Sequence, residues 1–201
     1  ANIDQGRVTV DTMDVALMGA HLSASGAADS TSVDARLEAS LSRPALLHLF
    51  GGPAMADAAA SLDLRAEVHG LWPIPSVEID LNASLSTQEF DVPSLIGTVR
   101  THDRAVHSSL TIDQGLNAGK VALDSLALNW EGDLSKPDSL SHRFDLRMWS
   151  PMGRMALGGF GTLDSLHTVI LDSLIIVSLD STMRTLQPAT IVQGPGPKEL
   201  R

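Results

Sequence analysis

The sequence predicts an all-β fold with one short helix. Its most regular stretch is residues 61–86, where two arms alternate strictly between apolar and polar side chains. A period of two is typical of a strand with one apolar and one solvated face. Residues 70–75 separate the arms, and the two prolines there cannot join a strand ladder because they lack an N–H. Turn-forming residues recur along the rest of the chain, which indicates many further strands.

In the N-terminal part, the alternation predicts two strands within residues 7–26 and a third at 33–41. The pattern then changes to a helix at 43–51, where a proline stands in the first turn, leucines fill the body and a glycine pair follows. These are helix start and stop signals. Residues 54–60 are expected either to extend this helix or to form a second helical turn.

Beyond the opening stretch, the same alternation predicts seven more strands, at residues 88–100, 105–112, 121–130, 143–149, 154–163, 168–178 and 188–192. Many strands with a single helix exclude architectures built from repeating βαβ units. The triplet Asp-Ser-Leu occurs four times, at 124–126, 138–140, 164–166 and 172–174. One interpretation is a recurrent strand start, in which Asp and Ser bond the local backbone; the alternative is compositional bias.

Composition narrows the classes of function. Hydrophobic residues make up 43% of the 201 residues, so a large apolar surface is available, whereas aromatic residues make up only 3%. The formal charge of −10 argues against nucleic acid and is a poor match for an anionic membrane. The absence of cysteine excludes disulfides and thiolate sites. With no start Met, signal segment or spanning apolar run, the chain is expected to be a piece of a longer protein.

No group of residues predicts a catalytic site, a metal site or a cofactor. The seven histidines are dispersed. His102 and His107 are five residues apart, so one strand would place them on opposite faces, which is wrong for shared metal ligation. The glycines at 158–161 lack the lysine and the following helix of a phosphate-binding loop, and bending of a strand explains them better. A non-catalytic protein is therefore expected.

Residues 44–85 resemble the bacterial TamB-like proteins, the translocation and assembly module family related to AsmA. The resemblance consists of a Leu/Ala-rich helix at 44–50, an amphipathic strand at 62–68, a proline-containing turn at 70–75 and a second strand at 77–85. Residues 171–194 are similar to another recurrent element of the family. Met183 departs from it, since relatives commonly have Trp there.

The resemblance implies a long curled sheet, a β-taco or open groove with an apolar lining, in a periplasmic protein that bridges inner and outer membranes. It implies phospholipid transport and support of outer-membrane protein biogenesis. The implied partners are phospholipid acyl chains and an outer-membrane β-barrel, and the full-length protein is expected to have an inner-membrane anchor outside this sequence.

Parity within the amphipathic strands selects the residues expected to line such a groove. They are Val33, Leu37, Leu41, Leu62, Leu64, Val68, Val77, Ile79, Leu81, Leu85, Leu110 and Ile112.

Periodicity alone leaves a second fold open. The apolar faces could close on each other as the dry core of a β-sandwich or a β-solenoid, because alternation does not distinguish a side chain that faces lipid from one that faces another side chain. An extracellular adhesin-like β-solenoid is then the alternative function.

Overall fold

The computed structural model describes residues 2–4, 6–50, 59–87, 90–119, 121–135, 140–163, 168–178, 180–185, 187–192 and 199–200. Within these residues the chain forms seventeen strands and one helix. The strands are β1 (Asn2–Asp4), β2 (Arg7–Leu17), β3 (Ala20–Ala28), β4 (Ser32–Ser42), β5 (Ala59–Leu71), β6 (Ser76–Ser86), β7 (Phe90–His102), β8 (Ala105–Ile112), β9 (Leu116–Ala118), β10 (Val121–Leu123), β11 (Ser125–Asp133), β12 (Leu140–Ser150), β13 (Gly153–Leu163), β14 (Thr168–Ser178), β15 (Thr182–Arg184), β16 (Ala189–Val192) and β17 (Glu199–Leu200). Helix α1 is Arg43–Phe50.

The strands form one open, curled antiparallel sheet. Strands β1 to β8 are neighbours in chain order, β11 pairs with β8, and β12, β13 and β14 follow. Both β15 and β16 pair with β14, and β17 pairs with β16. The predicted all-β fold is confirmed. The alternative of a closed sandwich or solenoid is wrong for the described residues, because a sandwich needs a second sheet and a solenoid stacks parallel rungs.

Helix α1 lies where the predicted helix was placed, and it packs against β4 and β5. Ala45 and Leu46 are two of the few buried apolar side chains, 5% and 9% exposed. The predicted extension over residues 54–60 falls mainly outside the described residues, and Ala59 and Ala60 belong to β5 instead. They pair with β6, opposite Ser86 and Leu85, so the sheet already accounts for their backbone groups.

The prediction of one strand over residues 121–130 is wrong. Two strands lie there, separated at Asp124, whose N–H donates to the carbonyl of Trp149. Strand β10 pairs with β9, whereas β11 pairs with β8 and β12. The short pair β9–β10 thus extends the β8–β11 hairpin beyond Ile112, and β9 continues the ladder along β7.

The Asp-Ser-Leu triplets do not share one structural role. Ser125 begins β11, as the strand-start interpretation predicts. Asp172 and Ser173, however, lie inside β14 at a shift in register with β13, so the interpretation is wrong for that copy. The two middle copies fall wholly or partly outside the described residues.

Gly26 is required by the close approach of β3 to β4. Its φ is +148°, and a Cβ there would lie 2.5 Å from Cα of Ala35 and against the carbonyl oxygen of Asp34. We therefore expect Gly26→Ala to lower the free energy of unfolding by about 2–4 kcal/mol, since backbone rather than a flexible side chain would have to move. Urea unfolding followed by circular dichroism measures this.

Gly97→Ala is the matched control for that substitution. A Cβ at Gly97 would lie 3.4 Å from the side chain of Leu81, an ordinary van der Waals contact. Equal unfolding midpoints for the two variants would contradict the close approach at Gly26.

The apolar face of the sheet as candidate functional site

Cross-strand register brings the apolar positions of successive strands onto one side of the sheet. We call this side the apolar face and define it by the side chains of Leu37, Leu64, Leu81, Leu110 and Leu146. Leu64 lies opposite Ala39 and Leu81, and Leu110 lies opposite Gly97 and Leu128. Because residues directly opposite each other project to the same side, these pairings join the strands into a continuous surface.

The twelve residues predicted to line a groove all lie on the apolar face. On β4 they are Val33, Leu37 and Leu41; on β5, Leu62, Leu64 and Val68; on β6, Val77, Ile79, Leu81 and Leu85; and on β8, Leu110 and Ile112. Most are partly exposed; Ile112 is buried, at 4% exposure.

The apolar face extends well beyond those twelve residues. On the far side of β8 it continues through Leu126, Leu128, Leu146, Leu157 and Leu174, which lie opposite one another or opposite members of the face. Strand β2 extends it on the other side. The sequence of these strands shows the same alternation. Which strands are neighbours in the sheet depends on contacts between residues far apart in the chain, and the alternation carries no information about those contacts.

Helix α1 packs against β4 and β5, and no second layer of described elements covers the rest of the apolar face. The other substantial contacts between elements join neighbours in the sheet, apart from β10 against β12. The chain exposes 13496 Å², whereas a compact protein of 21.3 kDa exposes about 9,100 Å². The chain as a whole therefore exposes several thousand Å² more than a globular protein of its mass.

A hollow of about 410 Å³ with an apolar lining lies over β2 to β5. Its floor consists of small residues, among them Ala24, Gly26, Ala35 and Ala66. Larger apolar side chains surround the floor, and one of them, Met13, is 43% exposed. The hollow arises where small residues on adjacent strands lie opposite each other, as Gly26 does opposite Ala35.

Aromatic side chains fill the corresponding region of β11 to β13. The ring of Trp130 stacks on His142, with 6.2 Å between ring centroids, and lies over Gly132. The ring of Phe144 lies over Gly159, where an added Cβ would approach it to 2.7 Å. These two rings make the apolar face uneven along its length.

Trp72 lies in the turn after β5 with 50% of its surface exposed, and its N–H donates to the carbonyl of Thr31 in the adjacent loop. The contact that the structure shows is therefore made by the backbone.

The opposite side, which we call the polar face, has rows of ion pairs across β4 to β7. Arg100 lies 2.6 Å from Asp80 and 3.5 Å from Glu78, and Arg36 lies 3.7 Å from Glu67. A hydrogen bond from Arg65 lowers the pKa of Glu67, and the same bond raises the pKa of Arg65. These exposed pairs keep this side of the sheet charged and hydrated.

The arrangement of His102 and His107 differs from the prediction. They lie in two strands, β7 and β8, joined by a turn at Asp103 and Arg104. Because His107 lies opposite Arg100, both histidines project to the polar face rather than to opposite faces. No group of three or more His, Cys, Asp or Glu that could hold a metal ion occurs among the described residues.

The glycines of residues 158–161 lie inside β13, where the register with β14 shifts between Gly158 and Gly159. Both are buried. This agrees with the interpretation that they allow the strand to bend, because side chains of neighbouring strands occupy the space that a Cβ would need.

Comparison with protein-family models, with curated proteins and with solved structures finds no match to this chain. The described part of the chain contains no helix with the length and apolar character that a membrane crossing requires. The geometry of the two faces of the sheet is therefore what bears on function.

Proposed function

We propose that this chain is a non-catalytic segment of a periplasmic bridge protein whose apolar face carries the acyl chains of phospholipids between the inner and outer membranes. The observation that supports this proposal is a continuous apolar face with no second layer of described elements over it. In the same proposal the full-length protein supports outer-membrane biogenesis together with an outer-membrane β-barrel, as the resemblance to TamB-like proteins implies.

The dimensions of the sheet suit the proposed cargo. Strands of eleven residues are about 36 Å long, and fourteen successive strands extend about 60 Å across the sheet. The groove axis would then cross the strands, and an acyl chain would pass from one strand to the next over the paired leucines. A phospholipid molecule is shorter than this path, so several could occupy it.

Energetics explain why an uncovered face would be useful. Exposing a methylene to water costs about 0.8 kcal/mol, so moving a phospholipid with about 30 methylenes through water would cost on the order of 20 kcal/mol. A surface of Ala, Val, Leu and Ile replaces that water with apolar contacts and needs no specific recognition of the lipid. The extracellular adhesin-like solenoid has less support, since it requires a closed core of parallel rungs.

Site-specific photo-crosslinking tests the proposal. A photoreactive residue in place of Leu81 on the apolar face should capture phospholipid in cells, whereas one in place of its neighbour Asp80 on the polar face should not. Leu146 and Arg147 form a second matched pair, four strands away across the sheet. Mass spectrometry of the adducts identifies the lipid. Equal capture at the two members of each pair, or no capture at any position, would argue strongly against acyl-chain transport.

A further inference from the structure

The side chains of the polar face over β12 to β15 differ in type from those over β4 to β7. Over β12 to β15 three cross-strand pairs each place an arginine beside an apolar side chain: Arg143 with Phe160, Arg154 with Trp149, and Arg184 with Ile175. We call these six residues the arginine–aromatic patch. Phe160 is 45% exposed, Ile175 43% and Trp149 38%, so the patch is apolar and cationic and open to its surroundings.

The arginines of the patch also differ from those at the other end of the polar face. Arg36, Arg65 and Arg100 each lie within 4.0 Å of a carboxylate. By contrast, Arg143, Arg154 and Arg184 have no ion pair with any described carboxylate, and the one ion-paired arginine of β12 is Arg147, 2.8 Å from Asp145. The positive charges of the patch are therefore available to a partner.

The patch extends over the three long strands β12, β13 and β14 and the three-residue strand β15. Asp145 and Arg147 lie on the same face of β12 between Arg143 and Trp149, so charged and apolar side chains alternate within this region. Within the part of the chain that the structure describes, no element packs over it.

We propose that the arginine–aromatic patch docks this end of the sheet on an anionic phospholipid bilayer. Arginine forks bind phosphate groups in two-point contacts, and Trp, Phe and Ile side chains enter the boundary between headgroups and acyl chains. The formal charge of the chain is −10, but charges more than about 10 Å from the bilayer are screened at physiological salt. The local charge thus matters more than the total. This docking surface lies on the side opposite the proposed lipid path and goes beyond the proposed function.

Vesicle flotation tests this proposal with the purified protein. The unmodified protein should bind vesicles of phosphatidylcholine mixed with phosphatidylglycerol, should bind pure phosphatidylcholine vesicles weakly, and should lose affinity as salt rises. Each arginine contributes about fivefold in affinity. The triple variant R143Q, R154Q and R184Q should therefore bind about 100-fold more weakly, and F160S with I175S should weaken binding without changing its salt dependence.

The control is the triple variant R36Q, R65Q and R100Q on the same face, which removes the same charge from ion-paired positions. Circular dichroism confirms that each variant folds. Equal loss of binding in the two triple variants would overturn the proposal, as would equal binding to neutral and anionic vesicles. A protein that binds neither vesicle type would also overturn it, and an acidic protein would then be the partner to examine. The patch variants change no residue of the apolar face, so the flotation result and the crosslinking result can fail separately.

Discussion

Leu81→Arg is expected to abolish lipid transport while the sheet stays folded. Leu81 lies near the middle of the apolar face, opposite Leu64 and Gly97, and is partly exposed. On an uncovered face the new guanidinium reaches water along its own aliphatic stem, so we expect the free energy of unfolding to fall by less than about 2 kcal/mol. An acyl chain that passes this point must instead contact a charge, at a cost of about 2.5–3.5 kcal/mol on the membrane-insertion scale. Lipid occupancy should fall about 100-fold.

The measurements are circular dichroism with urea unfolding for the fold, and photo-crosslinking plus outer-membrane integrity in cells that depend on the full-length protein. Asn82→Arg is the control, because Asn82 is the exposed neighbour on the polar face. If Leu81 were in a closed core, an unpaired buried charge would cost about 3–5 kcal/mol. Loss of the strand signal in Leu81→Arg alone would therefore contradict an open apolar face.

The second expected result concerns a double variant. Once lipid transport is blocked at one leucine of the apolar face, a second block at another leucine should reduce it little further. Leu146 lies on the apolar face opposite Leu128 and Leu157, in the part of the sheet that the predicted lining did not include. Leu146→Arg should reduce transport about 100-fold, as Leu81→Arg does. In a continuous path the two barriers act in series and their resistances add, so the double variant should lose only about twofold more than either single variant.

Independent lipid sites give a different outcome. If each leucine belonged to a separate site, each single variant would impair only its own site, and transport through the other site would continue. Asn129→Arg, on the exposed polar face of β11, is the control for the second position. Normal transport in Leu146→Arg would show that the path ends before β12.

The elements predicted correctly are those whose signals lie in residues close together in the chain. The prediction located β2 to β8 and α1 to within a few residues, because alternation and helix end signals are properties of neighbouring residues in the chain. It missed β9 and divided residues 121–130 incorrectly, because the pairing of β10 with β9 involves strands too short to show a period. It also placed His107 on the wrong face relative to His102, since the turn at Asp103 and Arg104 restarts the alternation.

By itself, the sequence determined the class of fold and the division of each long strand into an apolar and a polar side, because a residue's parity within its strand depends only on local order. Three features needed the tertiary structure: the register that joins Leu64, Leu81 and Leu110 into one surface, the absence of a described layer over that surface, and the absence of an ion pair between the patch arginines and any described carboxylate. Each depends on which strands meet and on what lies opposite a side chain. Parity assigns a side chain to a face and carries no information about what that face contacts.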